Sequence, residues 1–117
     1  MQSVVINHPL APTAVQISNL RASRTRVSWL SLSELDTARY IVYRSDGVVD
    51  GYLIPPNATL LGSLFARGPG NYVLPAPAAS SAQSTYWLVE QTNNGETRVI
   101  GRAVASDMFT YLPTLLR

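Results

Sequence analysis

Residues 27–45, VSWLSLSELDTARYIVYRS, constrain the fold more than any other part of the chain. Val27 and Trp29 alternate with polar neighbours, the period-two signature of a half-buried strand. The polar segment 31–37 follows as a loop. A second run over residues 39–45 then alternates through Tyr40 and Val42. Two such runs joined by a polar turn read as successive strands of a small β-sandwich.

The rest of the chain agrees. Pro and Gly punctuate short strand-like runs at fairly regular spacing, which favours an all-β sandwich. Residues 14–20 alternate with Val15 and Ile17 on one face, and residues 24–30 place Arg24, Arg26 and Ser28 opposite Val27 and Trp29. Asp46-Gly47 turns the chain. Residues 50–70 are irregular, broken by Pro55-Pro56 and by Gly68-Pro69-Gly70, and only residues 59–65 could pair. Residues 71–74 form a short strand, and 75–83 a low-complexity connection. Residues 84–92 and 97–104 are two β-patterned runs joined through Asn93-Asn94-Gly95-Glu96. Asn94-Gly95 suits a type I′ turn, whose two central residues both need φ > 0. No helix of useful length and no internal repeat stands out.

Composition sets limits on chemistry. The 117 residues form one domain by length. Charged residues make up only 14% of the chain, against 46% hydrophobic, so it is not a disordered tail. All nine basic residues are Arg and they are scattered, with no basic stripe for a nucleic acid. Absence of Lys excludes Schiff-base chemistry and a Lys–Asn isopeptide cross-link. Absence of Cys excludes disulfides, thiolate nucleophiles and thiolate metal sites. The apolar runs are far shorter than a membrane-spanning helix needs. The N-terminus lacks the charged and apolar regions of a signal peptide, so a secreted protein would be represented here by a mature or excised piece.

No catalytic or cofactor signature emerges, and the expectation is a chain that is not an enzyme. Glu34 and Asp36 are two carboxylates in one short loop, where solvation or a turn hydrogen bond explains them better than glycoside hydrolysis. His8 stands alone in a Pro-flanked arm, too little for a transition-metal site or a Ser-His-Asp triad. Residues 46–50, DGVVD, lack the dense oxygen ligands of a calcium loop and read as a turn. Asn57-Ala58-Thr59 matches the glycosylation sequon, a pattern frequent by chance.

With strands and loops placed, the chain resembles a fibronectin type III-like (immunoglobulin-like) β-sandwich. The Trp29 strand, the Tyr40/Val42 strand and the late Tyr86-x-Leu88 strand fall in the order of that family. More narrowly, it resembles a domain found near the C-termini of secreted bacterial surface proteins. Those typically read W-x-T-x-S-E-x-D-x-x-x-F-x-L-Y-R-S, then L-I-P, then Y-Y-W-L-E-x-V-D-x-x-G. Ser33, Glu34, Asp36, Tyr43, Arg44, Ser45, Leu53-Ile54-Pro55, Tyr86, Trp87, Leu88 and Gly95 fill corresponding places. The acidic run that usually follows the late strand becomes Val89-Glu90-Gln91-Thr92, which puts any cation binding by those acids in doubt. The closing YLPTLLR resembles a short terminal motif of some secreted proteins from filamentous bacteria. The likeness covers roughly residues 14–104 plus the tail, and implies a non-catalytic, extracellular or cell-surface location and role. Three segments result: an arm or edge strand at 1–12, the sandwich at 13–105 and a tail at 106–117.

Alternation separates the two faces of the late hairpin. A two-residue Asn94-Gly95 loop would set Gln91 opposite Arg98, Val89 opposite Ile100 and Trp87 opposite Arg102. The alternate set is Glu90–Val99, Leu88–Gly101 and Tyr86–Ala103. The resemblance puts Tyr86 and Leu88 inside with Trp29, Tyr40 and Val42. The opposite face then carries Ile41, Tyr43, Trp87, Val89 and Ile100, bordered by Arg98 and by Arg102, with a Trp87–Arg102 cation–π stack expected. Apolar surface this contiguous marks a contact, made either by another molecule or by a covering segment of the same chain, the N-terminal arm or the tail. Phe109, Tyr111 and Leu112 in that tail complete the set of contact candidates. The expected function is a structural or adhesive module or filament subunit that binds a protein partner or itself. The alternative is a carbohydrate-binding module with a polysaccharide partner, stacking sugars on Trp87, Tyr43 and Tyr52. No nucleic acid partner and no cofactor are expected.

Overall fold

The alternating runs become seven strands in a computed structural model that describes residues 16–23, 25–78 and 82–106. These are β1 (Gln16–Ala22), β2 (Arg26–Ser33), β3 (Thr37–Asp46), β4 (Thr59–Phe65), β5 (Gly70–Pro75), β6 (Gln83–Thr92) and β7 (Thr97–Ser106). They pair antiparallel as a three-stranded sheet, β1-β2-β5, and a four-stranded sheet, β4-β3-β6-β7. The all-β two-sheet sandwich read from the sequence is the fold, with no helix among the described residues. The N-terminal arm at 1–12 and tail residues 107–117 lie outside the described residues.

The core contains the six residues that alternation and the resemblance place inside, and adds two from β5, Tyr72 and Leu74. Val27 and Trp29 from β2 and Tyr72 and Leu74 from β5 meet Tyr40 and Val42 from β3 and Tyr86 and Leu88 from β6. Burying side chains of this size stabilises by about 1.5–3 kcal/mol each. Three aromatics form its centre. The Trp29 ring stacks parallel on Tyr72 with centroids 5.5 Å apart, and Tyr40 meets both edge-on at 5.2 and 4.9 Å. These are the offset and T-shaped geometries that the ring quadrupole favours. β1 packs closely over β7 at Gly101, where any larger residue would make the Leu20 side chain shift. A Cβ on Gly101 would stand 2.6 Å from Leu20 Cδ2.

Three local expectations are corrected. First, of the regular alternation expected over 14–20, Val15 lies outside the described residues and the part from Gln16 on breaks. Asn19 takes φ 56° and the β1–β2 register shifts on either side, so Ile17, Leu20 and Ala22 are the residues that reach the core. Second, the β6–β7 turn is not type I′. Asn94 is absent from the positive-φ residues, whereas Gly95 takes φ 89°, and the Gly95 N–H donates to the Thr92 carbonyl. A turn closed one residue earlier, followed by a left-handed glycine, is the longer hairpin connection. Third, the register shifts within the hairpin. Trp87↔Arg102, Leu88↔Gly101 and Tyr86↔Ala103 pair as expected, but Val89 faces Val99, Glu90 faces Arg98 and Gln91 faces Thr97. Ile100 is the extra residue of a bulge, which flips every side chain between it and the turn relative to a strict two-residue count.

Candidate functional site: the outer face of the four-stranded sheet

The outward residues of β3 and β6 come together as their pairing dictates. Ile41 lies opposite Val89, and Tyr43 opposite Trp87. Ile100 does not join them. The bulge turns it inward, where it packs against the core cluster. Phe109, Tyr111 and Leu112 lie outside the described residues.

Trp87 sits on this face but not on the surface, with 0% of its area exposed. Among the described residues, the β3–β4 loop covers it. Four side-chain bonds hold the loop down. Trp87 Nε1 donates to the Gly51 carbonyl at 3.1 Å, and Arg102 Nε donates to the Val49 carbonyl at 2.8 Å. Thr85 Oγ1 accepts from the Val49 N–H at 2.9 Å and donates to the Gly47 carbonyl at 2.7 Å. Arg102 also lies 3.7 Å from Asp50. It is therefore a loop tether and not the expected stacking partner of Trp87. The guanidinium-over-ring contacts among the described residues are Arg67 on Tyr72 and Arg44 on Tyr86. We expect Trp87→Phe, which keeps an aromatic ring but loses part of the indole volume and the bond to Gly51, to cost about 1–2 kcal/mol. Amide exchange should quicken in residues 47–52. Unchanged exchange there would show that the indole does not hold the loop.

What the loop leaves open is a largely apolar groove of about 330 Å³, lined by Ile41, Tyr43, Val89 and Val99 from the sheet and by Ile54 from the loop, with Thr97 and Arg98 of β7 also in its lining. The apolar surface continues onto β4. Leu60 pairs with Tyr43 and Phe65 with Arg39, on the same face, and they are 59% and 78% exposed. Leu53 on the loop is 87% exposed. Periodicity located Ile41, Tyr43 and Val89. It missed Leu60, Phe65 and Ile54, because nothing local says which face of a short edge strand, or which side of a loop, meets this sheet.

Glu34, read as a solvated or turn-bonded loop residue, has a larger structural role. Its Oε2 accepts the Tyr40 hydroxyl at 2.6 Å and the Tyr72 hydroxyl at 2.8 Å, and its Oε1 accepts the Gly68 N–H at 2.8 Å. Ser31 Oγ lies 3.1 Å from the Tyr40 hydroxyl. One carboxylate thus joins β3, β5, the β4–β5 loop and the end of β2 at one pole of the sandwich. Burial by itself would raise the Glu34 carboxyl. The bonds from Tyr40, Tyr72, Ser31 and Gly68 together outweigh it and hold the group below the ordinary carboxylate value. Burial first, then the neighbouring Glu34, pushes the Tyr40 phenol well up, and burial also raises Tyr72. Asp36 is engaged separately, accepting from Asn93 Nδ2 at 3.0 Å. Nothing in the spacing of Glu34 and Asp36 signals that one holds two tyrosines and the other a hairpin tip.

No protein-family model matches the chain, and no curated protein matches it. Among solved structures it is similar to LPMO10B from Micromonospora aurantiaca, with a TM-score of 0.53 at 11% identity. The match covers 77% of this chain and 54% of that one, so the chain spans about half the length of that structure. At that identity the likeness is one of fold: a β-sandwich built from antiparallel sheets.

Proposed function

We propose that this chain is a non-catalytic, fibronectin type III-like module of a bacterial extracellular or cell-surface protein, and that it acts by binding a second copy of itself. The observation that carries the reading is the apolar groove with its extension onto β4. β4 is an edge strand, and its sequence TLLGSLF has no charge and no proline. Edge strands are normally blunted by charges, proline or bulges, and here a single bulge beside Leu61 is the one such device. Two copies joined along β4 would bury Leu60 and Phe65 and extend the four-stranded sheet.

The strand order supports the family assignment. β4 pairs with β3 rather than β5, so the sheets divide three and four. That differs from the four-and-three division of an immunoglobulin constant domain, where the fourth strand joins the first sheet. Engagement of Glu34 by two tyrosines and of Asp36 by Asn93 supports structural rather than acid–base roles for both. The sugar-stacking alternative loses its largest member, since Trp87 lies beneath the loop.

Sedimentation across a wide concentration range tests the reading. The wild-type mass should rise towards twice 12.7 kDa or beyond. Leu60→Glu with Phe65→Glu should remain monomeric with an unchanged fold, because both residues are exposed. A wild-type protein that stays monomeric at the highest concentration overturns self-association.

A further inference from the structure

The opposite face of the sandwich carries a second, chemically different groove. It lies across the three-stranded sheet, has a volume of about 360 Å³, and includes Arg21 and Arg26. Arg21 pairs with Ser28, and Arg26 is two residues from Ser28 on the same face of β2, so the two arginines are diagonal neighbours. Such positions stand roughly 7–8 Å apart, within reach of two long side chains converging on one ligand.

Three observations set this pair apart. β1, β2 and β5 contain these two arginines and not one acidic residue. Glu34, Asp36, Asp46, Asp50, Glu90 and Glu96 all belong to the four-stranded sheet or to the loops that flank it. The remaining described arginines are occupied. Arg39 bonds Gln91, Arg44 the Pro77 carbonyl, Arg67 the Asn71 carbonyl, Arg98 Glu90, and Arg102 the β3–β4 loop. Arg21 and Arg26 are exposed, and neither guanidinium is in an ion pair with a described residue. Two like charges placed side by side without a counter-charge repel each other, and a bound anion relieves that repulsion.

The remaining lining indicates the kind of anion. Asn19, Asn71 and Ser28 present amides and a hydroxyl, which pair with hydroxyls as readily as with charges. Leu30 and Val73 form an apolar floor suited to the C–H face of a sugar ring. The centre of the groove is β2, which is hydrogen-bonded on both sides, to β1 and to β5. Its backbone groups are already used, so a ligand lying over the centre of the groove is held by side chains; strand extension by a peptide would have to take place at the outer edges of β1 or β5. A ligand that binds through ring-borne groups alone needs neither edge.

We propose that this groove binds an acidic polysaccharide, its carboxylates gripped by the forked guanidiniums of Arg21 and Arg26. The site lies on the sheet that β4 does not belong to, so it is independent of self-association. A module with both would fasten an assembly to an anionic surface polymer.

Polygalacturonate, titrated calorimetrically against the full chain, is the probe. Neutral dextran and poly-L-glutamate serve as comparison ligands. Wild-type protein should bind polygalacturonate more tightly than either. Arg21→Gln with Arg26→Gln should weaken that binding at least tenfold with an unchanged circular dichroism spectrum and melting temperature. The Leu60→Glu/Phe65→Glu protein should bind polygalacturonate like wild type whether or not the wild type self-associates, which separates the two readings. Undiminished binding by the double arginine variant overturns the proposal. So does equal affinity for poly-L-glutamate, which would mark the groove as a bare charge patch, and so does wild-type protein with no affinity for polygalacturonate.

Discussion

Replacing Trp29 by alanine should lower the free energy of unfolding by about 4 kcal/mol, the largest single-residue effect in this domain. Trp29 is 2% exposed, stacked on Tyr72 and met edge-on by Tyr40. Alanine removes the indole volume from the contact between the two sheets. Neither Tyr72, fixed through its hydroxyl, nor Tyr40, likewise fixed, can swing in to fill the space. A domain of this size is stable by about 5–15 kcal/mol in total, so the variant should be only marginally folded. Urea titration followed by tyrosine and tryptophan fluorescence measures the loss. Trp29→Phe is the informative control. Trp29 Nε1 has no acceptor in the core, so phenylalanine gives up ring volume but no hydrogen bond, and it should cost clearly less. Equal losses for Phe and Ala would mean that the stacked ring geometry is not what stabilises the centre.

The second large effect is expected at Glu34. Glu34→Ala should cost about 2–3 kcal/mol, in the range of hydrogen bonds to a charged group together with the desolvation of donors left behind. Two phenols and one backbone N–H lose their shared acceptor. Glu34→Gln should be nearly as harmful, because an amide has only one acceptor oxygen and its NH₂ would confront a donor. The pH dependence distinguishes this carboxylate from mere filling of space. Its folded-state value lies below the unfolded one, so the charged form contributes stability above the unfolded value, and that contribution is lost as pH falls. Wild-type stability should therefore decline as the pH drops below about 4.5, while Glu34→Gln declines less over the same window. Parallel pH–stability curves for the two proteins would show that Glu34 is not the group responsible.

Legibility in the sequence varied with the range of the interaction. The core residues Val27, Trp29, Tyr40, Val42, Tyr86 and Leu88 were readable because their alternation is imposed by the pleat, which is local. The pairs Trp87–Arg102 and Leu88–Gly101 followed from counting, even though the turn assumed in that count was wrong. A turn longer by one residue and a bulge of one residue cancel beyond Ile100 and fail to cancel between Ile100 and Gly95. Ile100 itself fell to the wrong face for this reason. Trp87 was assigned to the correct face, with a covering segment as one of two alternatives, but the β3–β4 loop was not among the segments considered. Parity determines which side of the sheet a residue points to. It says nothing of a loop that returns over that side.

By itself, the sequence determined that this chain is an antiparallel sandwich, which residues of β2, β3 and β6 fill it, and which chemistries the absence of Lys and Cys removes. Only the tertiary structure decided that residues 47–51 are bonded over Trp87, that Glu34 gathers two tyrosines from different strands, and that Arg21 and Arg26 share a face free of acids among the described residues. The physical reason is the separation of the partners along the chain. Glu34 and Tyr72 are 38 residues apart, and Trp87 and Gly51 are 36. Alternation reports how a residue faces relative to its immediate neighbours. Which distant segment meets that face depends on register, bulges and loop closure, and those are settled by the packing of the two sheets together.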